Sequence, residues 1–135
     1  DHPGQISFPG GRIDPGDAGP WAAAVRETRE EIGLEPGSAS LAGFLHDHMV
    51  LTGYLITPAV AFVSPGFTLE LDMTEVDDVF EVPLEFVLDP AHHVPRTRTF
   101  GGHDFLTHDI PFGERHIWGA TAGMLVALWR MLRED

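Results

Sequence analysis

The chain has no cysteine and no lysine; its only fixed cations are eight arginines. Without cysteine there are no disulfides, no thiolate metal ligands and no cysteine nucleophile. The remaining balance is acidic, with 21 Asp and Glu and a formal charge of −13, so no basic stripe is available to track a nucleic-acid backbone. A nucleic-acid polymer is therefore not an expected partner. A small phosphorylated substrate stays open, because a bound cation reverses the local field of an acidic site. No apolar run approaches the roughly 20 residues of a membrane span, so no membrane partner is expected. No leader-like segment is visible, although the chain opens at Asp1 almost inside a motif, and a cytoplasmic location is the expectation.

What is present suits one globular domain over residues 1–135. At 43% hydrophobic residues, a chain of this length buries about two-thirds of the surface its unfolded form exposes. Ile6 and Phe8 alternate with polar neighbours and predict a strand end, and PGGRIDPGDAGP then predicts a long loop. A helix is expected from Pro20 and Trp21 to a C-cap at Gly33. Leu41–His46 and Gly53–Val63 predict two paired strands joined near Leu51–Gly53, followed by a short strand at Phe67–Leu71. An extended run from Glu75 to Val82 stops at Pro83, and LEFVL predicts a helical turn. The His- and Gly-rich stretch from Ala91 to His116 reads as short strands with a mobile loop, its histidines as loop and surface residues. From Ile117 onwards, Thr121, Met124, Leu125, Leu128, Met131 and Leu132 share one stripe of an amphipathic helix. Strands between an early and a late helix predict an α/β sandwich.

The early helix carries the chemistry. Glu27, Glu30 and Glu31 crowd its last turns, where the helix dipole favours cations and where like charges at i,i+4 repel, each effect costing roughly 0.3–1 kcal/mol. Local chemistry that opposes folding points to function, and 3.6 residues per turn put all three carboxylates on one face. A set of oxygen donors suits Mg²⁺ or Mn²⁺ rather than Zn²⁺. The competing reading is a solvated acidic helix face, or an acidic protein-interaction surface, neither of which requires the Gly-rich loop in front of it. Gly10 and Gly11 suit a backbone that passes close to a metal or phosphate. Arg26 places one positive charge among the acids and lowers their repulsion.

The run GGRIDPGDAGPWAAAVRETREEIGL resembles the Nudix box. Arg26, Glu27, Glu30, Glu31, Gly33 and Leu34 match its second half. Its first half departs: Asp17 stands where the general form has Glu, eight residues rather than seven separate it from Arg26, and Thr28 takes an aliphatic place. These departures, with HPGQISFPGG before the box, EVDDVFEVPL after it and IWGATA at Ile117–Ala122, are similar to the branch that hydrolyses coenzyme A. The resemblance implies a Nudix-type α/β/α sandwich with a mixed sheet between helices. It implies Glu27 and Glu31 as main metal ligands, Glu30 as a further one and a loop carbonyl at Gly10, with Arg26, Glu27 and Glu30 as catalytic candidates. His2, Gln5, Gly11 and Arg12 are the substrate-binding candidates. Glu27 is one family precedent for the base, but a carboxylate on a metal is a poor one, so Glu75 is the downstream acid to test, against a structural reading of it. The implied function is metal-dependent hydrolysis of coenzyme A, or its acyl or oxidised forms, to adenosine 3′,5′-bisphosphate and 4′-phosphopantetheine. Alternatives are hydrolysis of ADP-ribose or a damaged nucleotide, and a Nudix-fold binding module without turnover. A homodimer is a further expectation.

Overall fold

The computed structural model describes residues 5–133. They form two compact units. The first holds Phe8–His46 and Thr57–Phe80; the second holds Gln5–Ser7, Asp47–Ile56 and the chain from Glu81 onwards.

In the first unit, helix α1 (Pro20–Ile32) starts on a proline, whose fixed φ and missing N–H suit a first helical position. It ends at Gly33, which is left-handed with φ 74° and donates its N–H to the Arg29 carbonyl at 2.9 Å. Strands β1 (Ala39–Phe44) and β4 (Ala59–Val63) pair antiparallel, with the register slipping between Leu41 and Gly43. The expected strand at Phe67–Leu71 does not form. Its backbone is used on the helix instead: Glu70 N–H bonds the Ile32 carbonyl and Asp72 N–H the Glu31 carbonyl, each at 2.8 Å. Two carbonyls that a helix end leaves without partners are thereby satisfied. Close approach fixes Gly33 as glycine, because a Cβ there would lie 2.7 Å from the Glu70 nitrogen.

In the second unit, β2 (His48–Met49) and β3 (Leu55–Ile56) form a short hairpin closed by Gly53. The strand expected from Gly53 to Val63 is thus split into β3 and β4. A single turn, α2 (Leu84–Val87), follows Pro83 as expected, while Glu75–Val82 forms no strand. The carbonyls of Phe86 and Val87 meet the rings of His92 and His93 at 2.8 and 2.7 Å, so these two histidines finish a helix end. Strand β5 (Val94–Phe100) pairs antiparallel along its whole length with β6 (His103–Phe112), and β6 with β7 (Arg115–Ile117). The mobile loop expected here is a long hairpin. Gly101 and Gly102, with φ 59° and 79°, supply the two positive dihedrals that a tight two-residue turn requires.

Helix α3 (Gly119–Leu132) buries Thr121, Ala122, Met124 and Val126. The predicted stripe is right in its first half only, since Met131 and Leu132 are exposed and Ile117 belongs to β7. Val87, Ile110, Ile117, Ala122 and Val126 make the core of this unit, with Ile6 packed on it. Ile6 is not in a strand; its carbonyl accepts a bond from the Thr121 hydroxyl at 3.1 Å. The chain is α/β, and every strand ladder among the described residues is antiparallel, so the parallel pairing that a mixed sheet implies is not among them.

Gly33→Ala is expected to destabilise the chain by more than about 1 kcal/mol, because a positive φ and a backbone clash both oppose the methyl group. Gly16→Ala, where a Cβ meets nothing within 4 Å, is expected to stay within about 0.5 kcal/mol of the parent. Urea unfolding followed by circular dichroism checks both.

Candidate functional site

One guanidinium organises the acidic face of α1. Arg26 grips Asp17 with two parallel bonds, Nε to Oδ1 and Nη2 to Oδ2, both 3.0 Å. Its Nη1 donates to Glu27 at 3.0 Å and to Glu30 at 3.2 Å. Its Nη2 also reaches the Arg12 carbonyl at 3.1 Å and lies 3.3 Å from Asp14. The hydrogen bond to Asp17, helped by Glu27, Asp14 and further charge from Asp17, pushes the Arg26 pKa up even further. The same bond, with one from the Asp14 N–H, holds the Asp17 carboxyl below its ordinary range.

Glu31 is held by the loop backbone instead of by Arg26. Its Oε2 accepts the Gly10 N–H at 3.1 Å. Partial burial raises its pKa, and the negative charges of Glu27, Glu75 and Glu30 raise it further against the opposing bond from Gly10. Glu75 is brought within electrostatic range of Glu31 by the turn at Asp72–Val76, whose Asp72 N–H bonds the Glu31 carbonyl at the end of α1. There the Asp72 carbonyl accepts the N–H groups of Glu75 and Val76, and its side chain holds Thr74. The two glycines differ. A Cβ on Gly11 would lie 2.6 Å from the Glu27 carboxyl carbon, so the loop presses on that side chain; a Cβ on Gly10 would meet nothing within 4 Å.

The first unit thus brings together Gly10, Gly11, Arg12, Arg26, Glu27, Glu30, Glu31 and Glu75. Arg12 takes part through its carbonyl, and Gly10, expected to offer a carbonyl, contributes its N–H. Gln5 belongs to the second unit, beside Gly119, and His2 lies outside the described residues. Asp14 was not among the expected residues and Asp17 was noted only as a departure in the motif. Nothing in their spacing marks them, but two acids in a turn rich in Gly and Pro, ahead of the first helical Arg, are the detectable sign.

The donor chemistry is right for a hard divalent cation, all of it oxygen. Among the described residues, however, no three acids or histidines converge as they stand. Arg26 draws Glu27 and Glu30 to itself and the Gly10 N–H holds Glu31, so the expected ligands are together on one face but not turned to one point. A cation here has to compete with Nη1 of Arg26.

The raised pKa of Glu31 has a stability consequence. The folded chain holds that proton more tightly than the unfolded one, so this group favours folding below its unfolded pKa, and the contribution is lost as pH rises through the folded pKa. Glu31→Gln is expected to raise Tm by a few degrees at neutral pH in EDTA. The gain should shrink as pH falls through the carboxylate range, which thermal melts across that range will show.

Residues 1–100 match the NUDIX domain family. The chain is 36% identical to the Nudix hydrolase NudL of Enterobacter sp. (strain 638) over 124 residues, 92% of this chain and 65% of the relative. It is 34% identical to NudL of Escherichia coli (strain K12) over the same shares. It is 37% identical over 106 residues to the peroxisomal coenzyme A diphosphatase NUDT7 of Mus musculus, 78% of this chain and 45% of the relative. The chain therefore spans about two-thirds of the NudL length and under half of the mouse protein. With this match across most of its length, and with Arg26, Glu27, Glu30 and Glu31 in register on α1, the chain belongs to the Nudix family.

Proposed function

We propose that this chain, acting as a single Nudix domain over residues 1–135, hydrolyses the diphosphate bond of coenzyme A or of its acyl or oxidised forms. The products are adenosine 3′,5′-bisphosphate and 4′-phosphopantetheine. What carries the substrate reading is the 37% identity, over 78% of the chain, to a mouse protein named a coenzyme A diphosphatase. The likeness of HPGQISFPGG and IWGATA to that branch supports it. The partner is thus a small molecule, not a nucleic-acid polymer or a membrane. A homodimer and a cytoplasmic location remain part of this proposal.

Glu27 and Glu31 are proposed to hold Mg²⁺ or Mn²⁺ with Glu30. When bound, such a cation spreads the charge of the non-bridging oxygens and lowers the pKa of a coordinated water. The crowding of Glu31 by Glu27, Glu30 and Glu75 supports this reading, because three acids close enough to raise the pKa of a fourth are a standing demand for positive charge. Arg26 positions Glu27 and Glu30 and keeps the loop from Arg12 to Asp17 against the helix. Glu75 is proposed to take the proton from the attacking water; being on a turn rather than on α1, it is free of the bonds that occupy the other acids with Arg26. His2, Gln5, Gly11 and Arg12 are proposed to meet the substrate.

With Mg²⁺ or Mn²⁺ the protein is expected to release adenosine 3′,5′-bisphosphate from coenzyme A, followed by chromatography across coenzyme A, acyl-coenzyme A, ADP-ribose and nucleoside triphosphates. A large preference for ADP-ribose would overturn the substrate and leave the chemistry standing. Glu27→Gln and Glu31→Gln are each expected to remove most of the activity with the fold retained; a fully active double variant would sink the metal assignment. Glu75→Gln is expected to lower kcat by about 100-fold with KM little changed. An unaltered kcat assigns the base elsewhere.

A further inference from the structure

The second unit contains the reverse of the α1 arrangement, one buried acid under several cations. Asp109 on β6 is fully buried. Its Oδ2 meets His116 Nε2 at 2.8 Å and Arg96 Nε at 3.2 Å, and Arg98 Nη2 reaches its two oxygens at 3.0 and 3.2 Å. Strand register explains the cluster. Arg96 and Arg98 alternate on one face of β5, Asp109 lies on the same face of β6, and His116 on β7 pairs with Pro111, two residues along β6 from Asp109. The opposite face carries Ile110 and Ile117 into the core. Trp118 closes the group, with the Arg98 guanidinium 4.7 Å from its ring centre and the His116 ring stacked at 6.5 Å.

Burial alone would raise the Asp109 pKa, but the bonds from His116 and Arg98 outweigh it and hold the carboxyl below its ordinary range. One anion thus faces two fixed cations and an imidazole, and the balance is positive on a chain of formal charge −13. A purely structural pair would use the two-nitrogen fork of Arg98. Here a single nitrogen serves both oxygens, and Arg98 Nε is buried with no hydrogen-bond partner among the described residues. Arg96 and His116 keep more than half of their side chains exposed, at 57% and 53%. Fixed from below by Asp109 and from the side by Trp118, the group is a preorganised set of donors with surplus charge.

We propose that this face of β5, β6 and β7 binds a phosphomonoester, with Arg96, Arg98 and His116 as its donors. A phosphate oxyanion is drawn by the positive surplus, and its tetrahedral oxygens suit donors arriving from two different strands. Asp109 and Trp118 are positioning residues. With inorganic phosphate as the probe, the site is tested independently of the coenzyme A reading, since that arm involves neither the proposed substrate nor its products.

Calorimetric titration of the whole chain tests it, with EDTA present so that no divalent cation at the α1 carboxylates holds phosphate. The probes are inorganic phosphate and adenosine 3′,5′-bisphosphate. Saturable binding is expected in the parent and unchanged in the Glu27→Gln, Glu31→Gln double variant, weakened about ten-fold by Arg96→Gln and less by Arg96→Lys. Tighter binding of the bisphosphate would assign a nucleotide as the source of the phosphate; equal binding would assign phosphate itself. Arg96 is exposed, so its variants test the site even where Arg98→Gln fails to fold. Absence of saturable binding to the parent, or Arg96→Gln binding like the parent, would overturn the site. Loss of binding in the carboxylate double variant would do so as well.

Discussion

The guanidinium of Arg26 is the interaction on which the acidic face of α1 depends. Every residue of the loop from Gly10 to Gly16 is exposed, so burial of its own side chains does not position it. It is positioned by polar bonds: Asp17 held by two Arg26 nitrogens, the Arg12 carbonyl by one of them, and the Gly10 N–H on Glu31. One residue thereby fixes the loop and offsets the repulsion that Glu27 and Glu30 would otherwise exert at the dipole-negative end of the helix. A lysine could not do this, since a point charge with three donors cannot span four side chains and a carbonyl in one plane. The use of arginine as the sole fixed cation suits a chain whose positive charges have to serve several acids each.

How much of this was legible follows from where each signal resides. The helix was readable because its pattern is local: proline at the start, glycine at the end, and acids repeating at the helical period. The glycine pair is legible only in part: the close neighbour of Gly11 is the Glu27 side chain rather than a metal or phosphate, and a Cβ on Gly10 would meet nothing within 4 Å. Phe67–Leu71 was misread as a strand because its composition specifies an extended backbone but not its partner. That backbone bonds the end of α1 through Glu70 and Asp72, a choice made by tertiary position. The hairpin of β5 and β6 was hidden for a different reason. Its exposed residues mix arginine and histidine with Thr, Phe105 and Leu106, so neither strand alternates cleanly between apolar and polar, and the two glycines at its tip read as looseness rather than as a turn of fixed dihedrals.

The two units solve one electrostatic problem in opposite senses. On α1, a single cation serves Asp14, Asp17, Glu27 and Glu30, and the surplus is negative. On the β5, β6 and β7 face, a single acid serves Arg96, Arg98 and His116, and the surplus is positive. Spacing along the chain reveals the first and conceals the second. Arg98 and Asp109 meet only through cross-strand register, which the turn at Gly101 and Gly102 sets.

The unusual first half of the box acquires a reason from the division of labour within Arg26. Its Nε and Nη2 are committed to Asp17, whereas Nη1 alone touches Glu27 and Glu30. A divalent cation that took Glu27 and Glu30 would therefore displace the bonds of one nitrogen and leave the bidentate grip on Asp17 whole. The loop would stay docked while the carboxylates turned. Asp is the shorter acid, and in this loop it also caps its own turn by accepting the Asp14 N–H at 2.8 Å, while its N–H bonds the Asp14 carbonyl at 2.9 Å. A turn closed on itself in this way fixes the carboxylate before Arg26 arrives. The eight-residue spacer then spans from that fixed turn, through Pro20 at the helix start, to an arginine nearly two turns into α1. Seen this way, Asp17 and its spacer separate the anchoring of Arg26 from the carboxylates it restrains, so that those carboxylates can change partners without the loop unfolding.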